Sequence, residues 1–310
     1  NLESFVKNLQ QVQPTIFFGV PRVYTKFQLG ILEKVPQNKL NILLKIPILS
    51  SILKNKFKKA LGLSKANAIA SGAAPLPETL RTWFRKVDID IINGYGMTEN
   101  CAITSQLFVF NKPGSVGKAA AEVEIKINPS NSEILMKGPF LMKGYYKLPE
   151  LTKKTIKDGW LHTGDQGLID KDGFLFVTGR VKDLFKTTKG KYIEPLVLES
   201  HFADISEFEQ ICVVGLGLDQ PICLGVLSEI GKEKAKEEIK ALMTKHLDKI
   251  NSKLLGYQKI STFVVVKSPW TVENGLTTPT MKIKRNQIDK VYDSSFSSWH
   301  KDQEKVIFES

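Results

Sequence analysis

The sequence predicts an α/β protein in which a parallel α/β layer is followed by a small antiparallel, barrel-like part and then by a small α+β domain. Three observations indicate this order. Strands, loops and helices alternate through residues 14–92, which is typical of a parallel sheet. Residues 114–180 carry short alternating runs broken by glycines, which is the pattern of antiparallel strands. Beyond residue 180, an apolar stripe of helical period lies between two strand-like runs.

The parallel layer begins at residues 14–20, an apolar run that opens and closes at prolines and suits a buried parallel strand. Helices are predicted from there to about Leu63, with breaks at Pro36 and Pro47, because proline removes a helical hydrogen bond. A strand, a helix and another strand are predicted next, over residues 66–70, 77–86 and 90–92.

In the antiparallel part, Asp172 and Gly173 lie between two apolar runs and predict a hairpin turn. The alternating runs at residues 123–127 and 133–136 predict two further strands. In the last part we expect a strand, a helix with an apolar stripe and a final strand, over residues 210–215, 232–255 and 262–266.

The composition is that of an ordinary soluble globular protein, with 42% hydrophobic and 25% charged residues. No run approaches the ~20 apolar residues of a membrane-spanning helix, and no export signal is present. Three widely spaced cysteines, Cys101, Cys212 and Cys223, form no metal or redox motif, which favours core positions and a reduced, cytoplasmic compartment. The chain starts at Asn1 in what reads as the middle of a helix, so we expect a fragment.

The formal net charge of +12 indicates an anionic partner. From Lys26 to Lys65 there are nine lysines against one acid, Glu33, and these are interleaved with isoleucines and leucines. Two interpretations stay open for this stretch. It is either a face for peripheral contact with a membrane surface or partner, or a set of helices that pack on the core with solvated lysines. We expect no nucleic-acid partner, because stacking aromatics and a recognised binding motif are missing.

Five short segments in a fixed order carry the residues that point to chemistry. They are residues 71–76, 93–99, 160–165, 178–195 and 278–285. Each alone is compatible with an ordinary turn, whereas five in this order and at this spacing are not a coincidence. Together they resemble the later motifs of the acyl-adenylate-forming superfamily, which includes acyl-CoA synthetases, luciferases and peptide-synthetase adenylation domains. The resemblance covers essentially the whole chain.

The resemblance implies that residues 1–179 are the C-terminal portion of a large AMP-binding domain. Residues 183–310 are then a small, mobile C-terminal domain, and residues 180–182 are the hinge about which it turns, centred on Lys182.

The implied activity is ATP-dependent ligation of a fatty acid, of the long-chain type, to CoA through an acyl-adenylate. Fatty acid, ATP and CoA are the implied partners, and ATP/AMP and Mg²⁺ the implied cofactors. In the thioester-forming step, the loop through Gly190 would swing into the site, with Lys186 as a polar contact for CoA.

The resemblance also implies nucleotide-binding residues. The first loop borders the adenine, the Asn93 amide reads its amino group and the Tyr95 ring stacks on the base. Asp165 accepts hydrogen bonds from both ribose hydroxyls, and Arg180 contacts ribose or phosphate. The full implied set is Gly72, Ala73, Ala74, Asn93, Gly94, Tyr95, Gly96, Thr98, Asp165 and Arg180.

Three residues are implied in catalysis. Lys282 matches the adenylation lysine, whose mobile ammonium bridges the substrate carboxylate and the α-phosphate, and Lys284 is its nearest rival. Thr98 supplies a hydroxyl to the α-phosphate, and Glu99 is the Mg²⁺ ligand. His162 is given no catalytic role, since a lone histidine is more often structural.

The acyl substrate is addressed by residues 13–24, which are similar to a segment typical of long-chain acyl-CoA synthetases. The small and apolar residues Phe18, Gly19, Val20 and Gly94 are assigned to an acyl channel, and the lack of charge from residue 16 to residue 20 favours an apolar acid. A buried core strand would have the same composition, so the chain length of the acid stays open.

The family grips the β- and γ-phosphates with a Ser/Thr/Gly-rich loop that ends in lysine, and these 310 residues do not contain it. We therefore expect that this polypeptide alone does not adenylate fatty acids at a useful rate. Two alternatives stay open. One is an adenylating enzyme that loads its acyl group onto a carrier protein or oxidises it. The other is a non-catalytic lipid- or membrane-binding remnant.

Overall fold

The computed structural model describes residues 2–100, 112–302 and 304–309, with side chains from residue 4 onwards. Cys101 lies outside these residues. The chain divides into two units, Asn1–Val177 and Thr178–Ser310, and each is described by itself. Parallel, antiparallel and mixed sheets occur together with helices, so the predicted α/β class is confirmed. The hinge at Lys182 stays a prediction.

The helices of the first unit, within the described residues, are α1 (Leu2–Val12), α2 (Pro21–Lys34), α3 (Gln37–Leu43), α4 (Pro47–Ala60), α5 (Glu78–Lys86) and α6 (Pro149–Thr155). Its strands are β1 (Ile16–Gly19), β2 (Ala68–Ser71), β3 (Ile92–Asn93), β4 (Glu124–Ile127), β5 (Glu133–Lys137), β6 (Ile156–Lys157), β7 (Trp160–Ile169) and β8 (Leu175–Arg180), the last of which continues into the second unit.

The parallel sheet has the order β1-β2-β3, and both pairings are parallel, as the sequence predicts. The helix breaks at Pro36 and Pro47 are also confirmed, since α2 ends at Lys34 and α4 begins at Pro47. The expectation that the first strand is buried on both faces is wrong. Phe17 packs against the rings of α2, whereas Phe18, which points to the opposite face, is 57% exposed.

A cluster of aromatic rings fixes the sheet to its helices. Tyr24 of α2 is fully buried, makes edge contacts with Phe17, Phe27 and Phe84, and donates a hydrogen bond from its hydroxyl to the Ala70 carbonyl at 2.8 Å. Burial raises the pKa of the Tyr24 phenol, so it stays a neutral donor. This bond holds the end of β2, from which the first candidate loop leaves.

The second sheet of this unit has the order β4-β5-β7-β6, with β8 paired to β7, and the pairings of β5 with β4 and β7 are antiparallel. The predicted hairpin at Asp172 and Gly173 joins β7 and β8. One face of the sheet packs into a core of Ile134, Met136 and Leu161. The predicted antiparallel part is therefore confirmed, as a sheet.

The helices of the second unit, again within the described residues, are α7 (Pro195–Ser200), α8 (Glu229–Lys232), α9 (Lys236–Asn251) and α10 (Arg285–Lys301). Its strands are β9 (Phe185–Lys186), β10 (Tyr192–Ile193), β11 (Phe208–Val214), β12 (Ile222–Leu227), β13 (Phe263–Val266) and β14 (Val306–Phe308). The main sheet has the order β11-β12-β13-β14, in which only the first of these pairings is antiparallel.

Both faces of this sheet are covered, by α9 on one side and α10 on the other. Cys223 faces the α9 core and Cys212 faces the α10 core, and both are free and buried, so these two cysteines are core residues as predicted. The expectation that residues 262–266 form the final strand is wrong, because α10 and β14 follow it. The apolar stripe of α10 recurs only at every fourth position among serines and charges, which weakens the periodic signal.

Among the helices of the described residues, none combines the length and the apolar content that crossing a lipid bilayer requires.

Candidate functional site

The first two candidate loops meet at the carboxyl end of the parallel sheet. Ser71 pairs with Asn93, and the Gly94 amide donates to the Ser71 carbonyl at 2.9 Å. A Cβ atom on Gly72 would lie 3.0 Å from the Phe18 ring and 3.2 Å from the Gly94 carbonyl oxygen, so a larger residue here would need these neighbours to move by a few tenths of an ångström. The carboxyl end of parallel strands is where ligands bind in open α/β sheets.

The second loop is joined to the third segment by one hydrogen bond. The Tyr95 hydroxyl donates to Oδ2 of Asp165 at 2.6 Å, the short distance typical of a bond to a carboxylate. Asp165 lies on β7 and is only 6% exposed, and its amide donates to the Thr163 hydroxyl at 3.1 Å. The bond therefore connects the end of the parallel sheet to the antiparallel sheet within the first unit.

The strand segment before Asp165 is fixed by a carboxylate that the sequence analysis did not single out. Glu133 contacts Nδ1 of His162 at 3.0 Å through one oxygen and accepts the Gly164 amide at 3.0 Å through the other. Its side chain is 11% exposed. A buried acidic residue next to the apolar run of residues 134–136 was the available signal. His162 is thus engaged in positioning the chain.

Glu99 is held by a second residue that the sequence analysis missed. The Tyr145 hydroxyl donates to Oε1 of Glu99 at 2.8 Å, and the Met142 amide donates to the Glu99 carbonyl at 2.7 Å. Burial and the bond to Glu99 raise the pKa of Tyr145. Gly144, which precedes Tyr145, has a φ of 152°, a conformation that favours glycine. A glycine at this place was the signal of a turn that the sequence offered.

The carboxylate oxygens of Glu99 are suitable ligands for a magnesium ion that arrives with a nucleotide. Mg²⁺ prefers hard oxygen ligands and is usually held by one or two carboxylates together with substrate phosphates and water. Among the described residues, no group of three or more His, Cys, Asp or Glu side chains could hold a metal by itself. A single carboxylate at Glu99 matches a Mg²⁺ site of the kind that is completed by water and by the phosphate oxygens of a bound nucleotide.

The other predicted nucleotide-binding residues lie on the same two loops. Asn93 is 6% exposed, with its amide nitrogen 3.5 Å from the Ser115 carbonyl. Ala73 adopts a left-handed φ of 64°, which turns the first loop sharply. Ala74 and Gly96 are half-buried, and the Thr98 side chain is exposed.

The residues assigned to the acyl channel do not all share one face. Phe18 and Gly94 both approach Gly72. Gly19 points the other way, since a Cβ there would lie 3.2 Å from the rings of Phe17 and Tyr24. Val20 is half-buried and is the N-cap residue of α2. The structure therefore brings Phe18 and Gly94 together and leaves Gly19 in the aromatic core.

In the second unit, Lys282 lies in a tight turn held by Thr278. The Thr278 amide donates to the Lys282 carbonyl at 2.8 Å, and the Lys282 amide donates to the Thr278 hydroxyl at 3.0 Å. Met281 adopts a left-handed φ of 60° to close the turn. The side chain of Lys282 is half-buried, whereas Lys284 is exposed and caps α10.

Arg285, the first residue of α10, anchors this turn, and the sequence analysis did not single it out. Its guanidinium lies 2.7 Å from Glu199 and 3.8 Å from Asp183, and donates to the Val213 carbonyl. Burial lowers the pKa of the guanidinium, but Cys212 and the carboxylates of Glu199 and Asp183 raise it by more. Since Asp183 follows Lys182, one side chain ties the Lys282 turn to the segment predicted as the hinge.

The remaining predicted residues of the second unit lie near its start. Arg180 and Lys182 are exposed. The predicted thioester loop is the connection between β9 and β10, in which Gly190 has a φ of 72°. Lys186 places its ammonium 4.8 Å from the centre of the Tyr192 ring, a cation–π contact across the hairpin.

Comparisons with known proteins agree with these motifs. Sequence models of the AMP-binding enzyme and of the AMP-binding enzyme C-terminal domain match residues 1–146 and 182–304. Long chain acyl-CoA synthetase 2 of Arabidopsis thaliana is 29% identical over 94% of this chain and 52% of its own length. Long chain acyl-CoA synthetase 6, peroxisomal, of the same organism is 30% identical over 96% and 50%. The chain spans about half the length of the curated relatives it matches.

The fold is also similar to that of a solved structure. The A-PCP didomain of carboxylic acid reductase from Segniliparus rugosus, in complex with AMP, has a TM-score of 0.77 at 22% identity, over 97% of this chain and 44% of that one. At this identity the likeness concerns the fold alone. The two matching models, which together cover most of the sequence, show that the chain belongs to the AMP-binding enzyme family.

Proposed function

We propose that the complete enzyme carrying these residues ligates a long-chain fatty acid to CoA through an acyl-adenylate. The observation that carries the proposal is the bond between Tyr95 and Asp165, which joins an aromatic ring and a carboxylate beside the glycine loop at Gly72. The family assignment supports the adenylating chemistry. The names of the curated relatives support a long-chain acid.

In this proposal the adenine lies on the Tyr95 ring and against the backbone of the Gly72 loop, beside the exposed Phe18 ring that contacts Gly72. Asp165 accepts the ribose hydroxyls. A carboxylate has about four lone-pair sites, so Asp165 can accept these hydroxyls as well as the Tyr95 hydroxyl. Tyr95 would then position both parts of the nucleoside. Its ring stacks on the base, and its hydroxyl orients Asp165, which binds the ribose.

The reaction is proposed to proceed in two steps. First, the carboxylate of the acid attacks the α-phosphorus of ATP, pyrophosphate leaves, and Lys282 and the Thr98 hydroxyl stabilise the charge on the phosphate oxygens. Mg²⁺ held by Glu99 would neutralise phosphate charge when bound. Second, the small domain turns about Lys182, the Gly190 loop enters, and the CoA thiol displaces AMP from the acyl carbon.

The preference for an apolar acid is supported by the exposed face of β1. Ile16 is 67% exposed and Phe18 57% exposed, on the face that carries the Phe18–Gly72 contact. This is uncharged surface directly beside the proposed nucleotide site, and an apolar chain would be removed from water there.

The test is a product analysis of the full-length protein with ATP, Mg²⁺, palmitate and either CoA or a carrier protein. We expect AMP, pyrophosphate and palmitoyl-CoA by mass spectrometry. Acyl transfer to the carrier but not to CoA would replace the proposal by the carrier-loading alternative. Failure to form an acyl-adenylate under any condition would contradict the enzymatic reading.

The nucleotide assignment has its own test. Asp165→Ala is expected to weaken AMP and ATP binding by about 10- to 100-fold, because hydrogen bonds to a charged group contribute ~1.5–3 kcal/mol. Isothermal titration calorimetry with AMP measures the change. Unaltered affinity would refute the ribose assignment.

Tyr95→Phe is the matched control for this substitution. It keeps the aromatic face and removes only the hydroxyl that donates to Asp165. We expect a loss of affinity of no more than about tenfold, because the hydroxyl that is removed orients Asp165 and does not itself bind the ribose. A larger loss in Tyr95→Phe than in Asp165→Ala would show that the phenol, rather than the carboxylate, is the main contact.

A further inference from the structure

The outer side of α3 and α4 exposes an unusual number of large apolar residues. The α3–α4 face is defined here by residues that are each at least 40% exposed: Ile42 (63%), Ile46 (44%), Ile48 (76%), Leu49 (40%) and Ile52 (56%). Four consecutive apolar residues, 46–49, are exposed in sequence. Runs of this kind on a folded protein mark an interaction surface unless they are covered.

The exposure does not come from a loosely attached helix pair. Leu40 and Phe57, on the inner side of the same helices, are 1% and 7% exposed. The Trp83 indole donates to the Gln37 side chain at 2.8 Å, and Lys58 pairs with Asp88 at 2.6 Å. Both ends of the helix pair are thus attached to the first unit, and the α3–α4 face is held outward by its own packing.

The charge around this face has one sign. Residues 37–60 contain six lysines and no acidic residue. Lys39, Lys45, Lys56 and Lys59 are exposed. A basic rim around an apolar centre is complementary to an anionic lipid surface, where apolar side chains enter the acyl boundary and ammonium groups meet the headgroups.

The composition distinguishes a lipid surface from a protein partner. Protein interfaces are enriched in Tyr, Trp and Arg and depleted in Lys. Residues 37–60 contain no Tyr, Trp or Arg, and their charged residues are all lysines. The lysines around the α3–α4 face are therefore of a type that protein interfaces avoid and membrane-surface helices use.

We propose that the α3–α4 face docks the protein peripherally on an anionic membrane surface, with Ile48 and Leu49 in the acyl boundary and the lysines among the headgroups. Under this proposal, each of the two interpretations of residues 26–65 applies to a different part of the stretch. Helix α2 packs on the core through Tyr24 and Phe27, and the α3–α4 face meets lipid. The inference is independent of the proposed reaction.

The experiment is co-sedimentation of the full-length protein with vesicles of phosphatidylcholine alone or mixed with phosphatidylglycerol. We expect binding to the anionic vesicles and weaker binding to the neutral ones. Binding to the anionic vesicles should fall markedly between about 0.1 M and about 1 M salt, because the Debye length shortens from ~10 to ~3 Å over this range. Ile48→Glu should lower partitioning at least about tenfold, since a large apolar side chain no longer enters the bilayer.

Two further variants make the test specific. Lys45→Gln with Lys56→Gln, which leaves the apolar centre intact, should reduce binding to anionic vesicles by about 25-fold, at about fivefold for each charge. Val291→Glu is the matched control for Ile52→Glu, because both positions are helical and they are 55% and 56% exposed. Ile52→Glu should impair binding and Val291→Glu should not.

Several outcomes would overturn the inference. These are no binding to anionic vesicles, equal losses in Val291→Glu and Ile52→Glu, or full binding by Ile48→Glu. A change of oligomeric state in Ile48→Glu, measured by sedimentation velocity, would also overturn it, because the face would then be a contact between proteins. Thermal unfolding of each variant checks that it is folded.

Discussion

Lys282→Ala in the full-length enzyme is expected to slow acyl-adenylate formation by at least about 10²-fold, while thioester formation from preformed acyl-adenylate stays near the wild-type rate. The expected decrease follows from the effect of removing one group that stabilises charge in a transition state, which lowers the rate by ~10²–10³-fold. The turn at Thr278 holds the backbone of Lys282 through two hydrogen bonds, so the substitution should leave the turn intact. Pyrophosphate release measures the first half-reaction, and acyl-CoA formation the second.

Lys284→Ala is the matched control, two residues away and exposed. It should leave both half-reactions close to wild type. If Lys284→Ala instead lost adenylation while Lys282→Ala retained it, the two assignments would have to be exchanged. Equal loss of both half-reactions in Lys282→Ala would speak against a lysine that acts in only one of them.

Arg285→Ala is expected to lower the free energy of unfolding of the second unit by about 3–5 kcal/mol, the cost of removing one partner of a buried ion pair. Arg285 and Glu199 have side chains only 13% and 15% exposed, at 2.7 Å from each other. Without the guanidinium, the Glu199 carboxylate would lose its charged partner and keep the hydrogen bond that the Val213 amide donates at 2.7 Å. Urea unfolding followed by circular dichroism measures the difference.

Two comparisons isolate the cause. Lys240→Ala breaks an ion pair with Glu304 at 2.9 Å, whose side chains are 43% and 58% exposed, and it should leave stability nearly unchanged because exposed pairs contribute little. Arg285→Met combined with Glu199→Leu should cost less than Arg285→Ala alone, since no buried charge is left without its partner. If Arg285→Ala were as stable as Lys240→Ala, the pair would have no role in holding the turn.

The local elements were largely predictable. Proline positions gave the ends of α2 and the start of α4, and alternation predicted the pairing of β4 with β5. Periodicity failed where the pattern was diluted. Helix α10 was missed because Ile288, Tyr292 and Phe296 are spaced among polar residues, and the first strand was taken as buried on both faces because its apolar run is continuous.

The site was predictable only in part. The motifs named Tyr95 and Asp165 separately, but their direct hydrogen bond joins positions 70 residues apart. Glu133 holds the chain before Asp165, and Tyr145 holds the Glu99 carboxylate. Neither residue belongs to any of the five motifs. Such partners depend on which distant strands the chain brings side by side, and no local pattern records that.

The sequence by itself determined the class of fold and the order of the motifs, because hydrophobic period and turn residues act over a few neighbouring positions. The family was indicated by the resemblance of those motifs to known ones. The tertiary structure alone decided that Arg285 meets Glu199, 86 residues away, and that one side of α3 and α4 stays exposed. The physical reason is that the free energy of a buried charge or an apolar side chain depends on what surrounds it in space.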